Sequence, residues 1–108
     1  MNALIKQTFI RTKATERKIK WSRHALNALA SELASVGDIE IALRQAEVIE
    51  DYPHLHRYLP DCLVLAFVLS DMPTHCVIAV NMAQDYILIV TVYTPTEQEW
   101  EDDWRTRK

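Results

Sequence analysis

Side chains that can transfer protons or bind an anion lie at a few separated positions of the chain. His24 follows the predicted start of a helix, His75 begins a predicted strand, and Tyr93 lies near the exit of another. Histidine titrates near neutral pH, so these two imidazoles are candidates for general acid–base chemistry. Arg23 and Lys20 are basic residues close to His24 in the sequence. Each residue also has a structural alternative, such as holding a helix start, packing a ring or facing solvent.

The composition excludes several other kinds of site. Gly37 is the single glycine, so a glycine-rich nucleotide-binding loop is impossible, and no serine-hydrolase elbow occurs. Cys62 and Cys76 lie in apolar strand patterns and are interpreted as reduced core thiols, with a disulfide as the alternative. Together with His54 and His56 they show no recognised zinc-ligand spacing. We therefore assign no metal ligand and no cofactor.

Length and hydropathy predict a single small domain. The chain has 108 residues, near the commonest domain size. No apolar run approaches the roughly 18 residues needed to span a bilayer, and no signal peptide is recognisable. We expect a cytoplasmic protein in which residues 1–17 form an N-terminal basic helix and residues 18–108 form one α+β domain.

The net charge of −3 conceals a strong asymmetry along the chain. Residues 1–24 carry seven Lys/Arg and one acid, a balance of +6, whereas residues 25–104 sum to −12 and the last four residues to +3. A basic arm on an acidic body can bind a phosphate backbone. Alternatively, it can dock on the protein's own acidic surface or on an acidic partner.

Most of the strands are visible as apolar runs. The uncharged run from Tyr86 to Tyr93 predicts a strand buried on both faces. Residues 47–53, 63–69 and 75–80 predict further strands, and their short connections favour antiparallel neighbours. Residues 18–21 predict a short edge strand or an extended lead-in. We expect any site to lie where the last strand ends, facing the helix start at His24.

Capping residues mark the predicted helices. Ser22 and Ser35 each precede apolar residues at spacings of three and four, and this pattern predicts a tight helical pair. Thr96 with Glu99 resembles a capping box and predicts a short C-terminal helix over about residues 97–105.

An ordered set of short motifs resembles the family known as domain of unknown function 4258. The resemblance covers about residues 19–100 and rests on these segments: Ser22-Arg23-His24-Ala25, Asp38-Ile39-Glu40, Ala42-Leu43, Glu50-Asp51-Tyr52-Pro53, His75, Thr91-Val92-Tyr93-Thr94-Pro95 and Trp100. That family resembles the RelE/ParE and BrnT group of toxin-antitoxin, ribonuclease-like folds. The resemblance implies an α+β fold in which a helical pair packs on a curved antiparallel sheet of about four strands. An N-terminal helix and a short C-terminal helix complete the expected architecture.

The resemblance also implies a function and a set of site residues. It implies a toxin-like, metal-independent ribonuclease that binds RNA and is neutralised by an antitoxin-like protein partner. In that mechanism His24 and His75 act as base and acid, and Tyr93 positions the phosphate or donates a hydrogen bond to it. Arg23 and Lys20 bind the phosphate charge.

One departure from the family pattern favours a different function. The pattern places arginines four and eight positions after the helix histidine, where this chain has Ala28 and Glu32. Loss of those cations favours the alternative of a non-catalytic protein-binding or regulatory module, that is, a degenerate toxin fold. A homodimer formed through the N-terminal helix is a third expectation.

Overall fold

The computed structural model describes residues 2–52 and 60–108, and a five-stranded sheet lies at its centre. The strands are β1 Ile19–Trp21, β2 Glu47–Asp51, β3 Cys62–Val68, β4 Met72–Asn81 and β5 Tyr86–Tyr93. Their order across the sheet is β1-β5-β4-β3-β2. The last four strands form an antiparallel meander, as the short connections predicted, whereas β1 pairs parallel with β5.

The α+β class is confirmed, but two expected details of the sheet are wrong. The sheet has five strands rather than about four, because Ile19–Trp21 pairs with Ile87 to Ile89 instead of serving only as a lead-in. The sheet is also not strongly curled, in contrast to the curved sheet that the family resemblance implied. A segment as short as Ile19–Trp21 has too few alternating apolar and polar residues to distinguish a paired strand from an unpaired extended segment.

Three α-helices precede the meander, and each begins at a side-chain cap. They are α1 Ala3–Thr15, α2 Arg23–Leu29 and α3 Val36–Ala42, the last continuing into a 3-10 turn over Leu43–Gln45. Ser22 Oγ accepts from the Ala25 N–H. Ser35 and Asp38 form a reciprocal capping box, which confirms the start predicted for α3.

The expected C-terminal helix is absent. Residues 97–99 form a turn, and Trp100 then pairs with Arg107 in an isolated antiparallel bridge. Trp104 has a φ of 60°, a left-handed conformation that an α-helix cannot contain. Residues 94–108 therefore form a folded-back segment, called here the C-terminal strap.

The helices cover one face of the sheet, called here the helix face. Its core contains alternate residues of β3, β4 and β5 packed against the helices. Cys76, Ile78 and Ile89 belong to this core, together with Ala25 of α2 and Ile39 of α3. Because strand side chains alternate between faces, the neighbours of these strand residues project to the opposite face, called here the outer face.

The basic helix α1 is tied to the body of the protein. Lys6, with 3% exposure, donates to the carboxylate of Asp51 and to the carbonyl oxygens of Tyr52 and Asp61. Lys13 of the same helix pairs with Asp85. At these two lysines the arm therefore docks on the protein's own acidic residues, one of the three outcomes that the charge pattern left open.

Two further observations complete the fold. No helix within residues 2–52 or 60–108 is long and apolar enough to cross a membrane. Most of the predicted loop at residues 53–61, including His54 and His56, lies outside the described residues.

Candidate functional site

The polar residues of the outer face are aligned by the register of the sheet. Glu47 of β2, Leu65 of β3, His75 of β4 and Tyr93 of β5 are direct neighbours across four strands. The C-terminal strap lies over this row, because its residues bond to Glu47 at one end of the row and to His75 at its centre. The row and the strap together form the candidate site.

His75 is enclosed at the centre of the site. Its exposure is 0%, and both ring nitrogens are engaged: Nδ1 lies 3.1 Å from the Tyr93 hydroxyl oxygen and Nε2 lies 2.7 Å from the Trp104 carbonyl oxygen. The Trp100 ring packs edge-on against the imidazole, with 4.4 Å between the ring centroids. These contacts leave no side of the ring open to a substrate in this conformation.

The partners of His75 fix the position of its proton. A carbonyl oxygen can only accept a hydrogen bond, so Nε2 of the neutral ring donates to Trp104. Nδ1 then accepts the proton of the Tyr93 hydroxyl. Burial lowers the pKa of His75 below its ordinary value of 6.5 and raises the pKa of Tyr93. The pair is therefore neutral, with the half-buried tyrosine as donor and the buried histidine as acceptor.

A second polar group lies beside this pair. Arg107 of the strap binds Glu50 of β2 through two guanidinium nitrogens, at 2.6 and 3.1 Å, and this hydrogen bonding lowers the pKa of Glu50. The Tyr52 hydroxyl donates to the same carboxylate at 3.2 Å. Burial, followed by the charge of Glu50, raises the pKa of Tyr52 to about 12. Glu50 is thus an ionised acceptor, held by a cation and unsuited to accept a substrate proton.

Two ion pairs fasten the strap to β2. Arg105 pairs with Glu47 at 2.6 Å, in parallel with the pair between Arg107 and Glu50. Arg107 also lies over the Trp100 ring, 4.7 Å from its centroid. The sequence analysis missed these groups, although two arginines two residues apart are a signal of an extended segment facing a strand.

The other predicted site residues lie elsewhere. His24 and Arg23 are exposed in the first turn of α2, and this helix packs on the helix face through Ala25. His75 projects from the outer face, so the sheet separates the two histidines. Lys20 lies on β1, where its Nζ is 4.2 Å from the centroid of the Tyr86 ring.

The two positions that depart from the family pattern both have structural roles. Glu32 accepts from the N–H and the hydroxyl of Thr94, at 3.2 and 2.7 Å. It thereby fixes the exit of β5, where the sequence analysis placed the site. Ala28 packs against the core. Neither residue supplies a cation.

The cysteines do not contribute reactive groups. Cys62 and Cys76 are free and buried on the helix face, and burial raises the pKa of each thiol to about 12. Within the two described ranges, no cluster of three or more metal-ligating side chains occurs.

The lowered pKa of His75 predicts a pH dependence of stability. The unfolded chain binds the His75 proton more readily than the folded protein does, so the free energy of unfolding should fall as pH drops below 6.5. Denaturant titrations at about pH 7 and pH 5 should measure the fall, and His75→Gln should reduce it. An equal fall in the free energy of unfolding between these two pH values in the wild type and in His75→Gln would contradict the prediction. Three carboxylates have a lowered pKa: Glu50, Asp85 and Asp103. They lose their contribution to stability only at lower pH, below the ordinary pKa values of 4.5 for the glutamate and 3.8 for the aspartates.

Comparison with known proteins identifies the family. The profile described as domain of unknown function, DUF4258, matches residues 21–94, which is more than half of the chain. The chain belongs to the DUF4258 family. No curated protein and no solved structure shows significant similarity to it.

The DUF4258 match divides the candidate site. His75, Tyr93 and Glu50 lie within residues 21–94, whereas Trp100 and Arg107 follow the matched region. The buried pair therefore belongs to the DUF4258 region, and the strap that encloses it lies outside the match.

Proposed function

We propose that this DUF4258 protein is a non-catalytic protein-binding module with a degenerate toxin fold of the RelE/ParE and BrnT type. The observation that carries the proposal is the enclosure of His75, which has 0% exposure and both ring nitrogens engaged. A general acid or base must come within hydrogen-bond reach of the reacting group. In this conformation His75 makes those bonds to Tyr93 and to the strap instead.

The rest of the expected ribonuclease machinery is also dispersed. His24 lies on a helix that packs against the opposite face of the sheet from His75. Two of the basic residues of the N-terminal arm, Lys6 and Lys13, are neutralised by Asp51 and Asp85. RNA cleavage would require a base, an acid and a cation around one phosphate.

The partner we propose is a protein of the antitoxin type, and the proposed location is cytoplasmic. Self-association through α1 is an additional prediction, supported by the exposure of its residues Leu4 (69%) and Ile5 (48%). Measuring the mass of the full chain in solution tests this self-association. A monomeric mass at high concentration would contradict it.

The proposal predicts that the protein does not cleave RNA. We would incubate the purified full chain with mixed-sequence single-stranded RNA in excess chelator and analyse the products by gel and by their end groups. We expect intact RNA, because no acid and base share an open site among the residues that the structure describes. A known metal-independent ribonuclease in the same buffer provides the positive control.

The alternative proposal, a metal-independent ribonuclease, retains one supporting observation. His75 and Tyr93 form a hydrogen-bonded pair, which displacement of the strap would open. Cleavage by the wild type that is lost in both Tyr93→Phe and His75→Gln would establish this alternative. Tyr93→Phe is the informative variant, because it removes the hydroxyl and keeps the packed ring.

A further inference from the structure

The two edges of the sheet differ in how their backbone hydrogen-bonding groups are satisfied. At the β2 edge, side chains of α1 satisfy the backbone: Gln7 accepts from the Val48 N–H at 3.0 Å, and Arg11 donates to the Ala46 carbonyl oxygen at 2.7 Å. An edge covered in this way cannot pair with another strand. The opposite edge is formed by β1.

The backbone of β1 exposes a row of hydrogen-bonding groups. The Ile87 N–H donates to the Lys18 carbonyl oxygen, and the Ser22 N–H donates to the Ile89 carbonyl oxygen. In a parallel ladder, alternate residues point to the partner, so Lys18, Lys20 and Ser22 face β5. The N–H and C=O groups of Ile19 and Trp21 face away from β5, and nothing in the described part of the chain bonds to them.

A concentration of positive charge surrounds this edge. Residues 17–23 contain four cations and no acid, in a chain whose net charge is −3. Arg17, Lys18, Lys20 and Arg23 are all exposed. Lys18 is paired with Asp85, whereas Arg17 and Arg23 form no ion pair with any residue in the described ranges.

The two sides of β1 differ in chemistry. Ile19 and Trp21 are half-buried and pack against the core of the helix face, and Trp21 Nε1 also donates to Glu40 at 2.9 Å. Lys20 projects to the outer face over Tyr86. A strand added to this edge would meet an apolar surface on one side and a cation on the other.

We propose that the β1 edge binds an extended acidic segment of a partner protein by strand addition. The segment alternates apolar residues, which pack beside Ile19 and Trp21, with acidic residues, which pair with Lys20 and its neighbouring cations. Its backbone pairs with the outward N–H and C=O groups of Ile19 and Trp21. This inference rests on the proposed function, because it identifies the surface through which the module would bind its partner.

A peptide strand fits this edge better than a nucleic acid does. Acidic side chains lie on both sides of the cations: Glu16 is 3.9 Å from Lys18, and Glu40 is bonded to Trp21. Continuous phosphate would be repelled by these carboxylates, whereas a peptide can place neutral residues opposite them. The alternating donors and acceptors of Ile19 and Trp21 also match a peptide backbone.

Titration of the ¹⁵N-labelled full chain with three probes tests the inference. The probes are a short capped peptide of alternating Glu and Val, the corresponding Lys and Val peptide, and single-stranded RNA. We expect saturable binding of the acidic peptide alone. Amide exchange at Ile19 and Trp21 should slow by about tenfold or more, because these N–H groups become hydrogen-bonded.

Two variants separate backbone pairing from charge attraction. Ile19→Pro removes an N–H that points away from β5, so the β1–β5 ladder keeps its bonds while the outer edge is blocked. Lys20→Glu should weaken peptide binding by about tenfold through charge reversal. Arg44→Glu makes the same change at an exposed residue of the 3-10 turn and should leave binding unchanged.

The outcomes distinguish this inference from the proposed function. Strand addition would be overturned if the acidic peptide did not bind. It would also be overturned if the peptide still bound to a folded Ile19→Pro protein. Neither result would contradict the proposed function. RNA binding that is lost in Lys20→Glu, without peptide binding, would make the edge a nucleic-acid surface and also overturn it. Cleavage of that RNA would overturn the proposed function itself.

Discussion

Replacing Trp100 by alanine should lower the free energy of unfolding by about 3–5 kcal/mol, the usual cost of removing a buried tryptophan. Trp100 is 2% exposed, packs edge-on against His75 and lies under the Arg107 guanidinium. The substitution removes the aromatic contact between the strap and His75 of the outer face. Denaturant unfolding monitored by circular dichroism measures the loss.

The same variant should change the titration of His75. Its pKa is lowered by burial, so opening the strap should raise the pKa toward 6.5, as followed by NMR. Trp100→Phe keeps an aromatic ring and should cause a smaller change in both measurements. Arg105→Ala removes an exposed ion pair, worth about 0–1 kcal/mol, and an exposed hydrogen bond to the Asp103 carbonyl oxygen. An unchanged His75 pKa in Trp100→Ala would show that Trp100 does not seal the site.

Replacing Lys6 by methionine should lower the free energy of unfolding by about 2–3 kcal/mol. The Lys6 side chain is 4% exposed, and its amine donates to Asp51, to the Tyr52 carbonyl and to the Asp61 carbonyl at 2.8 Å. Methionine preserves most of the side-chain volume but removes every one of these bonds. Because Asp51 is 39% exposed, its carboxylate regains water, which limits the loss.

Lys18→Met is the matched control for this prediction. Lys18 pairs with Asp85 at 2.6 Å, but both side chains are 49% exposed, so its removal should have little effect. Equal destabilisation by the two substitutions would show that the buried amine of Lys6 has no special role. A Lys6→Met protein as stable as the wild type would contradict the prediction outright.

The two expected losses of stability indicate that the terminal segments support the DUF4258 region. Lys6 joins α1 to the end of β2, and Trp100 joins the strap to β4. Both lie outside residues 21–94, the part of the chain that defines the family. In this protein we therefore expect both terminal segments to stabilise the central domain, and the C-terminal one also encloses His75.

The local elements were predictable because their signals are local. Continuous apolar runs marked β3 and β5, since a strand covered on both sides has no polar face to interrupt it. Ser22 and Ser35 marked helix starts, since a side-chain oxygen there satisfies backbone N–H groups within three residues. The antiparallel meander followed from connections too short for a crossover.

The elements that the sequence misassigned depend on distant contacts. Thr96 and Glu99 resemble a capping box, but pairing of Arg105 and Arg107 with Glu47 and Glu50 of β2 favours an extended, folded-back strap. A capping signal is worth only about 1 kcal/mol, so several tertiary contacts override it. The strand β1 was ambiguous for the same reason, because its partner β5 lies far along the chain.

By itself the sequence determined the α+β class, the strands of the meander, the helix caps and the asymmetry of charge. It also marked His24, His75 and Tyr93 as residues able to do chemistry. Only the tertiary structure decided which of them meet: register places His75 beside Tyr93, and the sheet separates both from His24. Proton transfer depends on distances between residues remote in the chain, and those distances are set by sheet register and by packing of the termini.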